Sequence, residues 1–239
     1  MRPERLVLVC GTGTEVGKTW VCGKLLVELR SRGCSVSARK PAQSFDIDSE
    51  GARLGGATDA ERLGAASGEH PGSVCHSFRS YHRAMAPPMA AEALGLPSFT
   101  VADLVEEMVW PPDGVEVGVV EMAGGVRSPQ AVDGDSTDLV VALAPDVVVL
   151  VADAGLGTIN GVRLSMEALS TVTVDGIRTV VVLDRFDGHH DIHRRNRQWL
   201  AGRHGYEVVA LPGEEAALAD VVLDGPLRTP VRRRPPPPD

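Results

Sequence analysis

Residues 6–20 read LVLVCGTGTEVGKTW, and no other stretch constrains the fold as tightly. Residues 6–9 are a short, branched, uninterrupted apolar run, the pattern of a strand covered on both faces. From Lys18 onward, Val21, Leu25, Leu26 and Leu29 recur at helical spacing. The glycines between must therefore carry the chain from a buried strand directly into a helix. Gly11, Gly13 and Gly17 have no side chain to block the backbone, so N–H groups and the helix N-terminus point into the turn and suit a phosphate. Gly13, Thr14, Glu15, Val16, Gly17, Lys18 and Thr19 form the expected nucleotide-binding loop. Lys18 is placed to reach the β/γ-phosphates and the Thr19 hydroxyl to face magnesium. The motif is a variant: five residues separate Gly11 from Gly17 where four are usual, and position 12 is threonine. The competing reading is a glycine turn that holds nothing.

Composition narrows the class. At 239 residues with 43% hydrophobic and 4% aromatic content, the chain suits one α/β domain whose core is Val, Leu and Ala. A net charge of −8 argues against a general nucleic-acid binder, which needs a basic face, and leaves a small molecule as the expected partner. No run is long enough to cross a membrane, and the residues ahead of the glycine loop are too few for a signal peptide, so a cytoplasmic protein is expected. Cys10, Cys22, Cys34 and Cys75 lack C-x-x-C spacing and are expected to be reduced core residues. Of 24 basic residues only three are lysines, Lys18, Lys24 and Lys40. Arginine serves elsewhere, so lysine marks places where a compact charge on a slim stem matters. Lys24 is expected on a solvated helix face.

Further strands are expected over 35–39, 115–120, 147–152, 179–183 and 207–211, with helices over 58–67, 98–109, 160–169 and 191–202. This alternation predicts an α/β fold, a doubly wound, mostly parallel sheet of the P-loop NTPase type. The C-terminal ends of the strands then share one edge, where ligands bind. The glycine loop, Lys40, Glu121 and the turn 153–160 each follow a strand and should meet there. Residues 1–224 are expected to form one nucleotide-binding domain, and 225–239, rich in Pro and Arg, a disordered tail.

Each candidate has a plainer alternative. Glu121, leaving a buried strand, is placed to hold magnesium opposite Thr19, or else caps a nearby N–H. Asp59 opens a helix, where the dipole favours an acid in any case. Lys40 precedes Pro41 in KPAQS, and a second lysine beside Lys18 serves phosphoryl transfer; the alternative is a snorkelling surface lysine. DAGLGTIN, from Asp153, is a second glycine turn opening a helix, hence a second anion site or an ordinary turn. His189 and His193 stand at helical spacing without a third ligand and are expected on a solvated helix face. VVVLDRFD lacks the N-K-x-D motif, so guanine specificity is unsupported.

Taken together, GTGTEVGKT, KPAQS, TDAERLG, AMAPPMAAEALG, VVEMAGG and DAGLGTIN stand in the order and spacing of the dethiobiotin synthetase family, and the chain resembles it over most of its length. The resemblance implies a homodimeric, magnesium-dependent ligase using ATP or another triphosphate such as CTP. Its substrates would be a small-molecule diamine, 7,8-diaminopelargonic acid, and CO2 or bicarbonate. An amine takes up CO2 as a carbamate, the carbamate is phosphorylated, and the neighbouring amine closes a cyclic urea. The implied roles are carbamate and transition-state contacts for Thr14, Lys40 and Ser44, phosphate binding for Lys18, and magnesium ligation for Thr19, Asp59 and Glu121. Gly124 would border the substrate. Gly157, Thr158 and Asn160 would receive its distal carboxylate, with Asn160 reaching across the dimer.

Two positions depart from the family pattern, Phe45 and Met122, each replacing a glycine and each expected to add bulk beside the carbamate. A paralogue acting on another amine and a dimeric P-loop switch ATPase therefore stay open as readings. The amidotransferase-type synthases of cobalamin assembly have a similar nucleotide domain but carry a glutaminase domain for which this chain has no room.

Overall fold

The computed structural model describes residues 1–51, 53–173 and 177–224. In chain order the elements are β1 (Arg5–Gly11), α1 (Lys18–Ser31), β2 (Val36–Arg39), β3 (Gln43–Ser44), α2 (Asp59–Ser67), the single turn α3 (Pro71–Val74), β4 (Ser80–Tyr81), α4 (Pro87–Ala93) and α5 (Val101–Glu107). There follow β5 (Val117–Glu121), β6 (Pro129–Ala131), β7 (Gly134–Asp135), α6 (Ser136–Leu143), β8 (Val147–Asp153), α7 (Thr158–Ser170), β9 (Arg178–Asp184), α8 (Asp191–His204), β10 (Glu207–Ala210) and α9 (Glu215–Leu223). Six strands make one sheet in the order β10-β9-β8-β1-β5-β2, and every pairing in it is parallel. The predicted α/β class and P-loop architecture are borne out. The expected tail, 225–239, lies outside the described residues.

The unbroken apolar strands follow from burial on both faces. Val7, Val9, Val147, Val149, Val180 and Val182 point to the side covered by α1, α2 and α9. Their neighbours Leu6, Leu8, Val148, Leu150, Val181 and Leu183 point to the other, under α4 to α8. Alternation by two along each strand thus fills two cores from one sequence run.

Some local expectations are corrected. The helix expected over 98–109 is only Val101–Glu107, because Thr100, not Ser98, caps it: Thr100 Oγ1 accepts from Asp103 N and the Asp103 carboxylate accepts from Thr100 N. Pro111 and Pro112 then exclude further helix. His189 lies before α8, which begins at Asp191, so it shares no helix face with His193; His193 Nδ1 instead accepts from Asp187 N at 3.0 Å. Cys10, Cys22 and Cys75 are buried as expected, but Cys34 is partly exposed at the end of the α1–β2 turn. No helix among the described residues is long and apolar enough to cross a membrane.

Gly118, the second residue of β5, is required by packing: a Cβ there would lie 2.4 Å from Pro3 and 2.7 Å from the Trp110 ring. Gly118→Val is therefore expected to lower unfolding stability by about 1–3 kcal/mol through overpacking. Urea denaturation reads this directly, and an unchanged midpoint would mean that Trp110 and Pro3 move aside freely.

Candidate active site

The glycine loop joins β1 to α1 as read from the sequence. Gly17, the N-cap of α1, has φ +93°, and a Cβ there would lie 1.8 Å from Asp184 Oδ2, so only glycine fits. With no side chain capping α1, its first N–H groups are left for an anion. Lys18 is buried and folds back to donate to the Gly13 carbonyl at 2.8 Å. Burial, and then the charge of Lys40, hold its pKa below the ordinary lysine value. An incoming phosphate would relieve both effects.

Beside this loop, four residues from four elements converge. Lys40 directly follows β2 and is held there by a bond from its N–H to the Val74 carbonyl. Its ammonium, 3% exposed, lies 2.6 Å from Glu121 Oε1 and 2.8 Å from Asp59 Oδ2. Thr19 Oγ1, in the first turn of α1, lies 2.9 Å from Asp59 Oδ1 and 3.0 Å from Glu121 Oε1. Burial alone would lower the Lys40 pKa, but Glu121 and Asp59 together hold it above the ordinary lysine value. Asp59 sits below the usual carboxylate range: burial opposes this, and the Lys40 charge with hydrogen bonds from Lys40 and Thr19 overcome it. Glu121 is 1% exposed, and its Oε2 has no hydrogen-bond partner. A hydroxyl and two carboxylates, one with an unanswered buried oxygen, fit a hard divalent cation such as Mg2+.

These groups open onto one cleft of about 1150 Å³. That exceeds the roughly 300–1,000 Å³ of a pocket for one small ligand and suits two substrates side by side. Thr14, Glu15, Gly17, Lys18, Thr19, Lys40, Ser44, Asp59, Glu121 and Gly124 all line it. Ser44 Oγ donates to the Met85 carbonyl at 2.6 Å. Gly13 and Val16 serve the loop by backbone; the Val16 side chain packs against the core under α1. Gly157, Thr158 and Asn160 do not line this cleft: they lie at the start of α7, where Gly161 packs against Thr12.

The two departures part ways. Phe45 lines the cleft, its ring 5.1 Å from that of His82. Met122 is fully buried in the core under α4 to α8 and does not line the cleft, which corrects the expectation that it crowds the carbamate.

Sequence reading missed the residues that set the geometry. Gln43 Oε1 accepts from Ala60 N at 3.0 Å and so fixes the start of α2, and with it Asp59, against the Lys40 loop. The Thr58–Glu61 capping box fixes the same turn. Gln130, buried, brackets the Ala123 peptide, accepting from its N–H at 3.1 Å and donating to its carbonyl at 2.7 Å, which holds the loop after Glu121. Only the capping box has a sequence signal. The glutamines acquire their roles from contacts across 17 and 7 residues, which no local pattern announces.

Residues 5–215 match the family model described as AAA domain. The chain is 37% identical over 178 residues to the ATP-dependent dethiobiotin synthetase BioD of Rhodococcus jostii, covering 74% of this chain and 72% of that protein. It is 35% identical to the ATP-dependent dethiobiotin synthetase BioD of Haloferax mediterranei, over 85% of this chain and 82% of the relative. The corresponding figures for the protein of that name from Caulobacter vibrioides are 35%, 76% and 80%. A parallel sheet with a glycine loop after β1, two lysines and two carboxylates at one edge, and this similarity across most of both chains lead to one conclusion: the chain belongs to the ATP-dependent dethiobiotin synthetase family of ligases.

Proposed function

We propose that the chain closes a cyclic urea on a vicinal diamine, 7,8-diaminopelargonic acid, with CO2 and ATP. The observation that carries this reading is the convergence of Lys18, Lys40, Thr19, Asp59 and Glu121 on a cleft large enough for two ligands. A mere switch ATPase has less need of the second lysine.

The loop N–H groups and Lys18 hold the β/γ-phosphates. Thr19, Asp59 and Glu121 would hold Mg2+, which when bound neutralises the phosphate oxygens. One amine loses a proton and forms an N–C bond to CO2; the resulting carbamate oxygen attacks the γ-phosphorus as ADP leaves. The second amine then attacks the carbamate carbon, and phosphate departs with the carbamate oxygen. Lys40, with Thr14 and Ser44 nearby, neutralises the charge that builds as the anhydride forms. Gly124 lets the loop after Glu121 approach the substrate. Folded Lys18 and bonded Ser44 must both turn from their present partners to take part.

The distal carboxylate is assigned to the start of α7. Support comes from Thr158 Oγ1, buried without a hydrogen-bond partner at the N-terminus of a 13-residue helix. Asn160 beside it is exposed, and Leu156 at the tip of the turn is 90% exposed. This turn lies outside the cleft of its own chain, so a second copy is proposed to bring it to the amine, making the working unit a homodimer.

The direct test supplies diaminopelargonate, bicarbonate, Mg2+ and ATP or CTP and looks for dethiobiotin by mass. Its absence beside tight nucleotide binding would favour a paralogue with a different amine, a reading supported by Phe45 in the cleft. The two departures should then separate: Phe45→Gly changes KM for the amine with stability little altered, whereas Met122→Gly costs about 2–5 kcal/mol of stability by leaving a core cavity and leaves amine selectivity unchanged. An equal effect of both on KM contradicts the placement of Met122.

Glu121→Gln is expected to cut magnesium-dependent turnover by about two orders of magnitude while metal-free nucleotide binding persists. Steady-state rates against Mg2+ concentration check this, and an unchanged titration rejects Glu121 as a ligand. The dimer has its own check. Mixing inactive Lys40→Ala with inactive Asn160→Ala chains should restore part of the activity, because a mixed dimer contains one intact site. Confirmed subunit exchange without recovery places both residues in one subunit's site.

A further inference from the structure

The Lys40 ammonium takes up the oxygens that a metal ion needs. It contacts Asp59 Oδ2 at 2.8 Å and Glu121 Oε1 at 2.6 Å, while Thr19 bridges Asp59 Oδ1 and the same Glu121 Oε1 at 2.9 and 3.0 Å. Of these four carboxylate oxygens only Glu121 Oε2 is left without a partner. Two cations cannot share these oxygens at such distances in a buried setting without strong repulsion. A lysine, unlike an arginine, is a point charge on four rotatable methylenes and can leave by turning its stem alone. The cleft wall formed by Thr14, Ser44 and Gly124 lies open for it.

We propose that Lys40 is an exchangeable internal counter-ion: it holds the place of the divalent cation in the free protein and is released toward the substrate only when the metal–nucleotide takes over Asp59 and Glu121. This rests on the reading of Thr19, Asp59 and Glu121 as metal ligands. It adds an order to the reaction. The ammonium that neutralises the charge of the forming anhydride is withheld until a phosphoryl donor is in place. It also gives the buried Glu121 a cation in both states, by the ammonium or by the metal, so the carboxylate is never left bare.

The test needs no substrate. Mn2+ binding to the full chain without nucleotide, followed by loss of the free-ion electron paramagnetic resonance signal, is compared for wild type, Lys40→Met and Lys40→Met with Glu121→Gln. The proposal expects Lys40→Met to bind Mn2+ at least tenfold more tightly than wild type, and the added Glu121→Gln to abolish the gain. Equal affinity in wild type and Lys40→Met, or no binding in either, overturns it. A second measurement uses the unaltered protein in case Lys40→Met does not fold. Lysine-selective 15N labelling has only three side chains to resolve. The buried, doubly bonded Lys40 ammonium should give a slowly exchanging proton signal in the free protein, lost when Mg2+ and a non-hydrolysable nucleotide saturate the site. A signal that persists unchanged in that complex contradicts the exchange. Competition without any cyclic urea in the product assay would sink the diamine reading alone; cyclic urea formed without competition would sink this inference alone.

Discussion

A carboxylate that is 1% exposed at the end of a strand has to be answered by a cation, and much of the site follows from how Glu121 is answered. Leaving such a group buried and unpaired costs about 3–5 kcal/mol, a large share of a domain's stability. Lys40 supplies the charge from the adjacent strand β2, and Asp59 joins from α2, with the Thr19 hydroxyl between the two acids. The result is a cluster whose net charge is one negative unit before any ligand arrives. It is therefore balanced for a cation and poorly balanced for a phosphate; in the proposed reaction the phosphate falls to the neighbouring loop and Lys18.

The sheet explains why these groups meet. With every pairing parallel, the chain leaves β1, β2, β5, β8 and β9 at the same edge. β1 lies between β5 and β8, so the glycine loop leaves the sheet midway, with Glu121 on one side and Asp153 and Asp184 on the other. The cleft is lined by Lys40, Ser44, Phe45 and Met85 and also by Gly17, Asp184, Arg185 and Pro212. Arg185, bonded to the Glu15 carbonyl at 2.8 Å and to Asp153 at 2.8 Å, ties the glycine loop to the end of β8.

Much of this was legible in the residues. Buried parallel strands write themselves as apolar runs, and phosphate loops need glycines, so β1, the loop, α1 and the later strands all carried local signals. The scarcity of lysine singled out Lys18 and Lys40, and both line the cleft. What stayed hidden depends on contacts between distant segments. Ser98 and Thr100 offer the same hydroxyl, and only the pairing with Asp103 selects Thr100 as the cap. Met122 and Phe45 looked equivalent as bulk in place of glycine. One is swallowed by the core beneath α4 to α8 while the other faces the cleft, a difference set by side-chain direction at a strand end. Gln43 and Gln130 had no signal, since a glutamine that braces a backbone reads like any other polar residue.

The central claim is that one cleft phosphorylates a carbamate rather than activating water. Oxygen bookkeeping separates the two. In a short incubation with 18O-labelled bicarbonate, before exchange with solvent, each phosphate released with diamine and ATP should carry one 18O, delivered by the carbamate oxygen that attacked the γ-phosphorus. Phosphate whose new oxygen comes only from solvent water would contradict the account and reduce the site to that of a nucleotide hydrolase.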